Sequence, residues 1–242
     1  MNIRPIKTSV FTEGEDLIRF ITGYVHGLKE GSVLAVTSKI VALAERRIVV
    51  VANSKTKEKL IRKESDFAVP GRYGWLTVKD GAVLPSAGID ESNANGKLIL
   101  LPKDSFRAAE KLRSALQRKY RITRLGILIT DSRSVPFRSG ITGVALGYAG
   151  FCGAKDYRGK PDIFGRKFKY SKSNAADALA AAAVLTMGEG NERQPIAIIE
   201  GAPIEFCKTV HRGELYIDIR NDLYFSAFSK IQKWFSGRRA KK

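Results

Sequence analysis

Leu125-Gly-Ile-Leu-Ile-Thr-Asp-Ser132 is an apolar run of strand length that ends in a hydroxyl, a carboxylate and a second hydroxyl. Its apolar part, Leu125 to Ile129, reads as a buried strand. A strand end is a rigid mount for a side chain. Asp131 followed by Ser132 can therefore serve adjacent magnesium or manganese ions, which take hard oxygen ligands. The same pair can equally cap a helix or a turn. Thr142 to Tyr148 reads as a further strand. Between the two lies Arg133-Ser-Val-Pro-Phe-Arg-Ser-Gly140, in which Arg138 can clamp a carboxylate or phosphate. Gly143, Gly147 and Gly150 allow close backbone approach, either to a ligand or to a packed neighbour.

Working outward, Thr12-Glu13-Gly14-Glu15 reads as a capping box opening a helix that runs to about Leu28, with Gly31 as its breaker. Ser32 to Val36 reads as a short buried strand, with a helix beginning near Ser38 and another strand from Ile48 to Val51. Asn53 to Lys63 is a linker or an exposed helix, and Pro70 to Gly96 holds loops and short strands. After a strand from Lys97 to Leu101, Asp104 or Ser105 can cap a helix carrying Ala108, Leu112, Ala115 and Leu116. Ser173 can cap an alanine-rich helix from Ala175 to Met187, which Gly188 stops. Ile196 to Ile199 is a strand. In the tail, Glu214 to Ile219 alternates like a strand, and Tyr224, Phe225, Phe228, Ile231 and Phe235 recur at helical spacing before a basic end. Strands and helices that do not alternate regularly indicate an α+β fold with mixed or antiparallel sheets. The expected division is a core over 1–213 made of two interleaved subdomains, followed by 214–242.

The 242 residues carry 42 Lys and Arg against 24 Asp and Glu, a net charge of +18. Such a surface suits nucleic acid, an anionic membrane or a polyanionic small molecule, and it also favours solubility. Cys152 and Cys207 form no disulfide framework or zinc spacing, and read as reduced buried thiols. No signal pattern and no long uncharged apolar run is present, so a cytoplasmic protein is expected. No Walker-type loop or Gly-x-Gly-x-x-Gly follows a strand, and His26 and His211 make no metal pair.

Further chemistry-bearing residues lie among glycines. In Ser86-Ala-Gly-Ile-Asp-Glu-Ser-Asn93, Asp90 offers a hard oxygen ligand and Asn93 an amide for a base or a phosphate-bound water. Both types are also favoured in turns for local backbone bonding. Asp156-Tyr-Arg-Gly-Lys-Pro-Asp-Ile-Phe-Gly-Arg166 places Arg158, Asp162 and Arg166 around turns, either to hold an anionic substrate or as a salt-bridged surface. In Met187-Gly-Glu-Gly-Asn-Glu-Arg-Gln194, Glu189 can complete a metal site while the backbone from Gly188 meets a nucleotide, or the segment simply ends the helix.

In order and spacing, these segments resemble the coenzyme F-420 gamma-glutamyl ligase family over roughly residues 30 to 201. The resemblance is carried by Ser86 to Asn93, Leu100-Leu-Pro-Lys-Asp104, Ile129-Thr-Asp-Ser132, Gly143 to Gly150, Asp162-Ile-Phe-Gly-Arg166 and Ala176 to Glu189. It implies two intertwined α+β subdomains in a homodimer. It also implies attachment of L-glutamate to a carboxylate of a deazaflavin coenzyme precursor through an acyl phosphate, with GTP as co-substrate and two divalent metal ions, Mg2+ or Mn2+. By position, Asp90, Asp131, Ser132 and Glu189 would hold metal; from the residues' own chemistry, Asp131 and Arg138 are expected to be catalytic. Ser38, Lys39, Asn93 and the segment containing Met187, Gly188 and Gln194 would meet the nucleotide, and Arg158, Asp162 and Arg166 the substrate.

The sequence departs from the family where members usually have G-L-P-E (here Ser9-Val-Phe-Thr12), S-K-A-E-G-R (here Ala42-Leu-Ala-Glu-Arg-Arg47, with Leu43 for the lysine) and F-G-R-P-W-R (here Arg133-Ser-Val-Pro-Phe-Arg138). These departures leave ATP in place of GTP, and a pterin, flavin or peptide carboxylate as acceptor, as alternatives. A third reading is a non-catalytic protein that binds nucleic acid or anionic lipid through its basic surface.

Overall fold

The computed structural model describes residues 1–50, 53–224 and 226. The chain divides into two compact units, Met1–Val49 with Ile99–Glu214, and Val50–Leu98 with Leu215–Lys242. The first unit opens with β1 (Asn2–Ile6), α1 (Leu17–Tyr24), β2 (Ser32–Thr37), α2 (Ser38–Ala44) and β3 (Ile48–Val49). The chain then passes through the second unit as α3 (Ser54–Glu64), β4 (Phe67–Gly71), β5 (Gly74–Lys79) and β6 (Ala82–Pro85). It returns at β7 (Leu98–Ile99) and continues as α4 (Ser105–Tyr120), β8 (Leu125–Ser134), β9 (Ile141–Ala149), β10 (Ala154–Asp156), β11 (Lys172–Asn174), α5 (Ala175–Met187) and β12 (Ile196–Glu200). The fold is α+β with mixed and antiparallel sheets, as the sequence pattern indicates.

The main sheet runs β1-β12-β2-β8-β9. Within it, β2 and β8 pair in parallel, from Ser32 opposite Leu125 to Thr37 opposite Thr130, and the other neighbours pair antiparallel. Because side chains alternate along a strand, each strand feeds two cores. Leu34, Val36, Leu125, Ile127, Ile129, Ile196 and Ile198 join Ile21, Ile40, Leu112 and Leu116 in one apolar cluster with α1, α2 and α4. The intervening Val33, Ala35, Leu128, Ala197 and Ile199 are equally buried. Helix α5, which packs on β1, β8, β9 and β12, covers that opposite face. A near-continuous apolar strand is what burial on both faces requires.

A bulge in β9 re-phases its side chains. Ile129 lies opposite Gly147 but Thr130 lies opposite Ala145, so Leu146 is the extra residue. Two odd-numbered glycines therefore serve different helices. A Cβ on Gly147 would stand 2.5 Å from the Phe106 nitrogen at the start of α4. A Cβ on Gly143 would stand 2.4 Å from the Ala180 carbonyl oxygen of α5.

Several local expectations are corrected. The Glu15 carboxylate does reach back to the Thr12 N–H (2.6 Å), but it closes a turn rather than a helix start. Gly14 adopts φ +76°, outside helical backbone, so Asp16 caps instead, accepting from the N–H groups of Ile18 and Arg19. That helix ends at Tyr24, short of Leu28. Ser173 sits in β11, and Asn174 caps α5 by accepting the Asp177 N–H. Glu214 to Ile219 forms no strand: among the described residues no edge pairs with it, and Tyr216 packs beside Gly81. The two thiols are half-buried rather than buried. Burial, with Cys152 close by, pushes the Cys207 thiol up to about 12. Val51, Phe225, Phe228, Ile231 and Phe235 and the basic end lie outside the described residues.

In the second unit, β4, β5 and β6 form an antiparallel sheet beside α3. The buried Thr77 hydroxyl donates to the Leu84 carbonyl (2.6 Å) and accepts the Ala87 N–H (2.8 Å), anchoring the turn Ser86–Gly88.

Gly143→Ala is expected to lower stability by about 2 kcal/mol, because its methyl would meet the α5 backbone rather than a movable side chain. Urea denaturation followed by circular dichroism measures this.

Candidate active site at the carboxyl ends of two parallel strands

Parallel pairing places the carboxyl ends of β2 and β8 side by side. Ser38 and Asp131 are the residues just beyond the last registered pair, Thr37 and Thr130. The buried Ser38 hydroxyl donates to Asp131 Oδ1 at 3.2 Å. Ser132, next along β8, faces the other side of the sheet, as does its partner Gly143 beneath α5. The Ser132 hydroxyl donates to Glu189, two residues past the end of α5. Two oxygen-donor pairs thus flank one strand end, each tied to a different covering helix.

The segment after α5 returns to this same end. The Thr37 N–H donates to the Pro195 carbonyl (3.0 Å), and Ile196 lies opposite Val36, so half-buried Gln194 stands beside the carboxyl end of β2. Gly188 adopts φ +82°, and the Gly190 N–H is taken by Glu192 (2.8 Å). Met187 is buried, so any contact from it to a ligand falls to its backbone. Lys39 follows Ser38 in the first turn of α2 and is half-buried. Arg138 is exposed in the β8–β9 hairpin, lining a recess of about 250 Å³ with Val135, Ser139, Gly140, Ile141 and Thr142.

Other predicted residues are not brought here within the unit. Arg158, Asp162 and Arg166 sit on an arm whose base, β10 paired with β11, follows the far end of β9. Their bonds are local: Asp156 takes the Arg158 side chain at 2.6 Å, and Asp162 accepts the N–H groups of Phe164 and Arg166. The Arg158 guanidinium holds the Asp156 carboxyl down at about 2 and is itself shifted up. Asp90 and Asn93 belong to the second unit. Asp90 accepts the Ser92 N–H (2.7 Å) and hydroxyl (2.9 Å), the local turn bonding that its residue type favours. Non-glycine residues Ser86, Ala87 and Asn93 all adopt positive φ in this stretch. Among the described residues, no three His, Cys, Asp or Glu side chains gather in a metal-holding group.

Sequence reasoning passed over Asp177. From the first turn of α5 it accepts the Ala145 N–H (2.8 Å), just before the β9 bulge, and the Asn174 amide (2.7 Å). Arg133, the residue after Ser132, lies 3.8 Å from its other oxygen. This carboxylate therefore ties α5 to β9 and to the strand bearing Asp131. Its acidic type in a first helical turn was the available signal, but the backbone donor it meets is visible only in three dimensions.

The fold is thus an α+β mixed sheet whose two central parallel strands end in oxygen donors, with a small-residue helix packed behind them. The family model described as F420-0:Gamma-glutamyl ligase matches residues 5–201, and the chain belongs to that family. Relatives named coenzyme F420:L-glutamate ligase include one from Archaeoglobus fulgidus, 35% identical over 209 residues (78% of this chain, 82% of the relative). One from Methanopyrus kandleri is 33% identical over 207 residues (78% and 81%). Another, from Methanococcus maripaludis strain S2, is 41% identical over 128 residues (53% and 51%), so there the match spans about half of the relative's length. No helix among the described residues is long and apolar enough to cross a membrane.

Asp177→Ala is expected to destabilise the protein by about 1–2 kcal/mol, since it strands the Ala145 N–H and removes a tie to α5. Thermal unfolding checks the loss, and amide exchange at Ala145 should rise in the same variant.

Proposed function

We infer that the chain is a nucleotide-driven gamma-glutamyl ligase that joins L-glutamate to a carboxylate of a deazaflavin coenzyme precursor. The observation that carries this reading is the pairing of Ser38 with Asp131 and of Ser132 with Glu189 at one strand end. Family membership and the names of the relatives support it.

An acceptor carboxylate oxygen attacks the γ-phosphorus of GTP, and GDP leaves. The resulting acyl phosphate is attacked at carbon by the free amine of L-glutamate. Inorganic phosphate departs, the amine loses a proton, and an amide remains. Phosphoryl transfer needs positioning and charge stabilisation more than covalent help from the protein. Arg138, exposed beside its recess, would hold an anionic group of the acceptor. Lys39 and the backbone from Gly188 to Gln194 would hold the nucleotide. The surplus of 42 basic over 24 acidic residues would draw anionic reactants toward the surface.

The donor chemistry fits a hard divalent cation: two carboxylates and two hydroxyls are carried at or beside one strand end. This set is small, which suits magnesium or manganese, ions that keep waters and take the rest of their ligands from substrate phosphates. Asp131, Ser132 and Glu189 would hold the ions. When bound, such ions would neutralise charge building on the phosphates. A homodimer in the cytoplasm is part of the same reading.

A second acceptor class is favoured by one observation: Arg133-Ser-Val-Pro-Phe-Arg138 differs from the usual family segment and lies in the hairpin next to the site. A screen of deazaflavin, pterin, flavin and peptide carboxylates distinguishes them.

Asp131→Asn is expected to reduce glutamate ligation at least about a thousandfold while leaving the circular dichroism spectrum unchanged, as loss of a group acting on transition-state charge should. Turnover like that of wild type would remove Asp131 from the site.

A further inference from the structure

Phe137 occupies a backbone position that suits glycine, and its side chain is fully exposed. The Arg138 N–H donates to the Val135 carbonyl at 3.2 Å, closing a four-residue turn with Pro136 second and Phe137 third. Proline fixes the second residue at negative φ, and Phe137 adopts φ +59°, which together define a type II turn. The third position of that turn favours glycine or asparagine. A bulky residue there is a genuine outlier. Folding gains nothing evident from it, since the residue is fully exposed. Backbone strain that earns no burial points to a use for the side chain elsewhere.

Place indicates the use. The turn caps the β8–β9 hairpin, which projects past Asp131 and Ser132 from the same strand. Val135 and Ile141 are also exposed on it, around the recess that Arg138 lines. An aromatic face and a guanidinium on adjacent residues suit a planar, anionic heteroaromatic molecule.

We propose that Phe137 is an acceptor-specificity residue, whose strained exposed ring stacks on the planar ring system of the acceptor while Arg138 takes an anionic group of it. The proposal rests on the ligase reading above and adds which residue reads the acceptor. Stacking of this kind is sequence-tolerant toward any π-face, so flavin, pterin and deazaflavin rings would all be accepted by it.

The test uses the full chain with GTP, Mn2+, L-glutamate and a deazaflavin precursor, comparing wild type with Phe137→Gly and Phe137→Trp. Phe137→Gly should raise the acceptor KM roughly tenfold. It should leave kcat and the GTP KM within about twofold, and should not lower the thermal midpoint, because glycine relieves the strain. Phe137→Trp should restore the acceptor KM. An unchanged acceptor KM in Phe137→Gly overturns the proposal, as does a fall in thermal midpoint accompanied by loss of every kinetic parameter. Wild type that ligates glutamate only to a non-aromatic carboxylate also overturns it while sparing the ligase reading. Wild type without nucleotide-driven ligation overturns both.

Discussion

Backbone-to-backbone packing of α5 on β9 at Gly143 sets the position of Glu189 against Ser132 in the first unit's candidate site. Glycine at 143 and the run of alanines on α5 let the helix lie closer to the sheet than larger residues would allow. That closeness lets Glu189, beyond the helix end, reach Ser132 on the strand beneath. Asp177 fixes the other end of the helix through Ala145. The β9 bulge is part of the same constraint, since it turns Gly143 toward α5 and Gly147 toward α4. The parallel pairing of β2 and β8 then supplies Ser38 to Asp131.

Much of this was legible in the residue pattern. Strand β8 was readable because its apolar run is continuous, as burial on both faces demands, and α5 because alanine has the highest helix propensity, losing no side-chain entropy in a helix. Asp131, Ser132 and Glu189 were singled out from strand and helix ends, and the structure brings the last two into contact. What failed were choices among neighbouring polar residues. Thr12 against Asp16, and Ser173 against Asn174, differ little in capping preference, and the outcome turned on Gly14 and on the β10–β11 pairing. The alternation of Glu214 to Ile219 misled because a strand pattern without a partner edge does not make a strand. The bulge at Leu146 left no local signature, and the acidic type of Asp177 in a first helical turn did not reveal its backbone partner, since both depend on which strand or helix lies opposite.

The two units differ in how they hold their chemistry. In the first, donors sit on strand and helix ends fixed by a core on each side of the sheet. In the second, Asp90 and Asn93 lie in a stretch where Ser86, Ala87 and Asn93 all hold left-handed backbone, anchored by the buried hydroxyl of Thr77. Strain of that sort persists only where surrounding structure over-determines it. The second unit also carries much of the basic surface, with Lys55, Lys57, Lys59, Arg62 and Lys63 on α3 alone. Part of that charge is spent locally, as Lys57 pairs with Glu91 and Arg62 with both Glu58 and the Trp75 ring.

The claim on which the functional reading stands is that the end of β8 is a metal-dependent nucleotide site. Isothermal titration calorimetry of the full chain with GTP, in the presence and absence of Mn2+, measures it directly. Binding that requires the metal and is lost in Ser132→Ala with Glu189→Gln is the predicted result. Nucleotide binding indifferent to Mn2+, or no binding of GTP or ATP with the metal present, would contradict it.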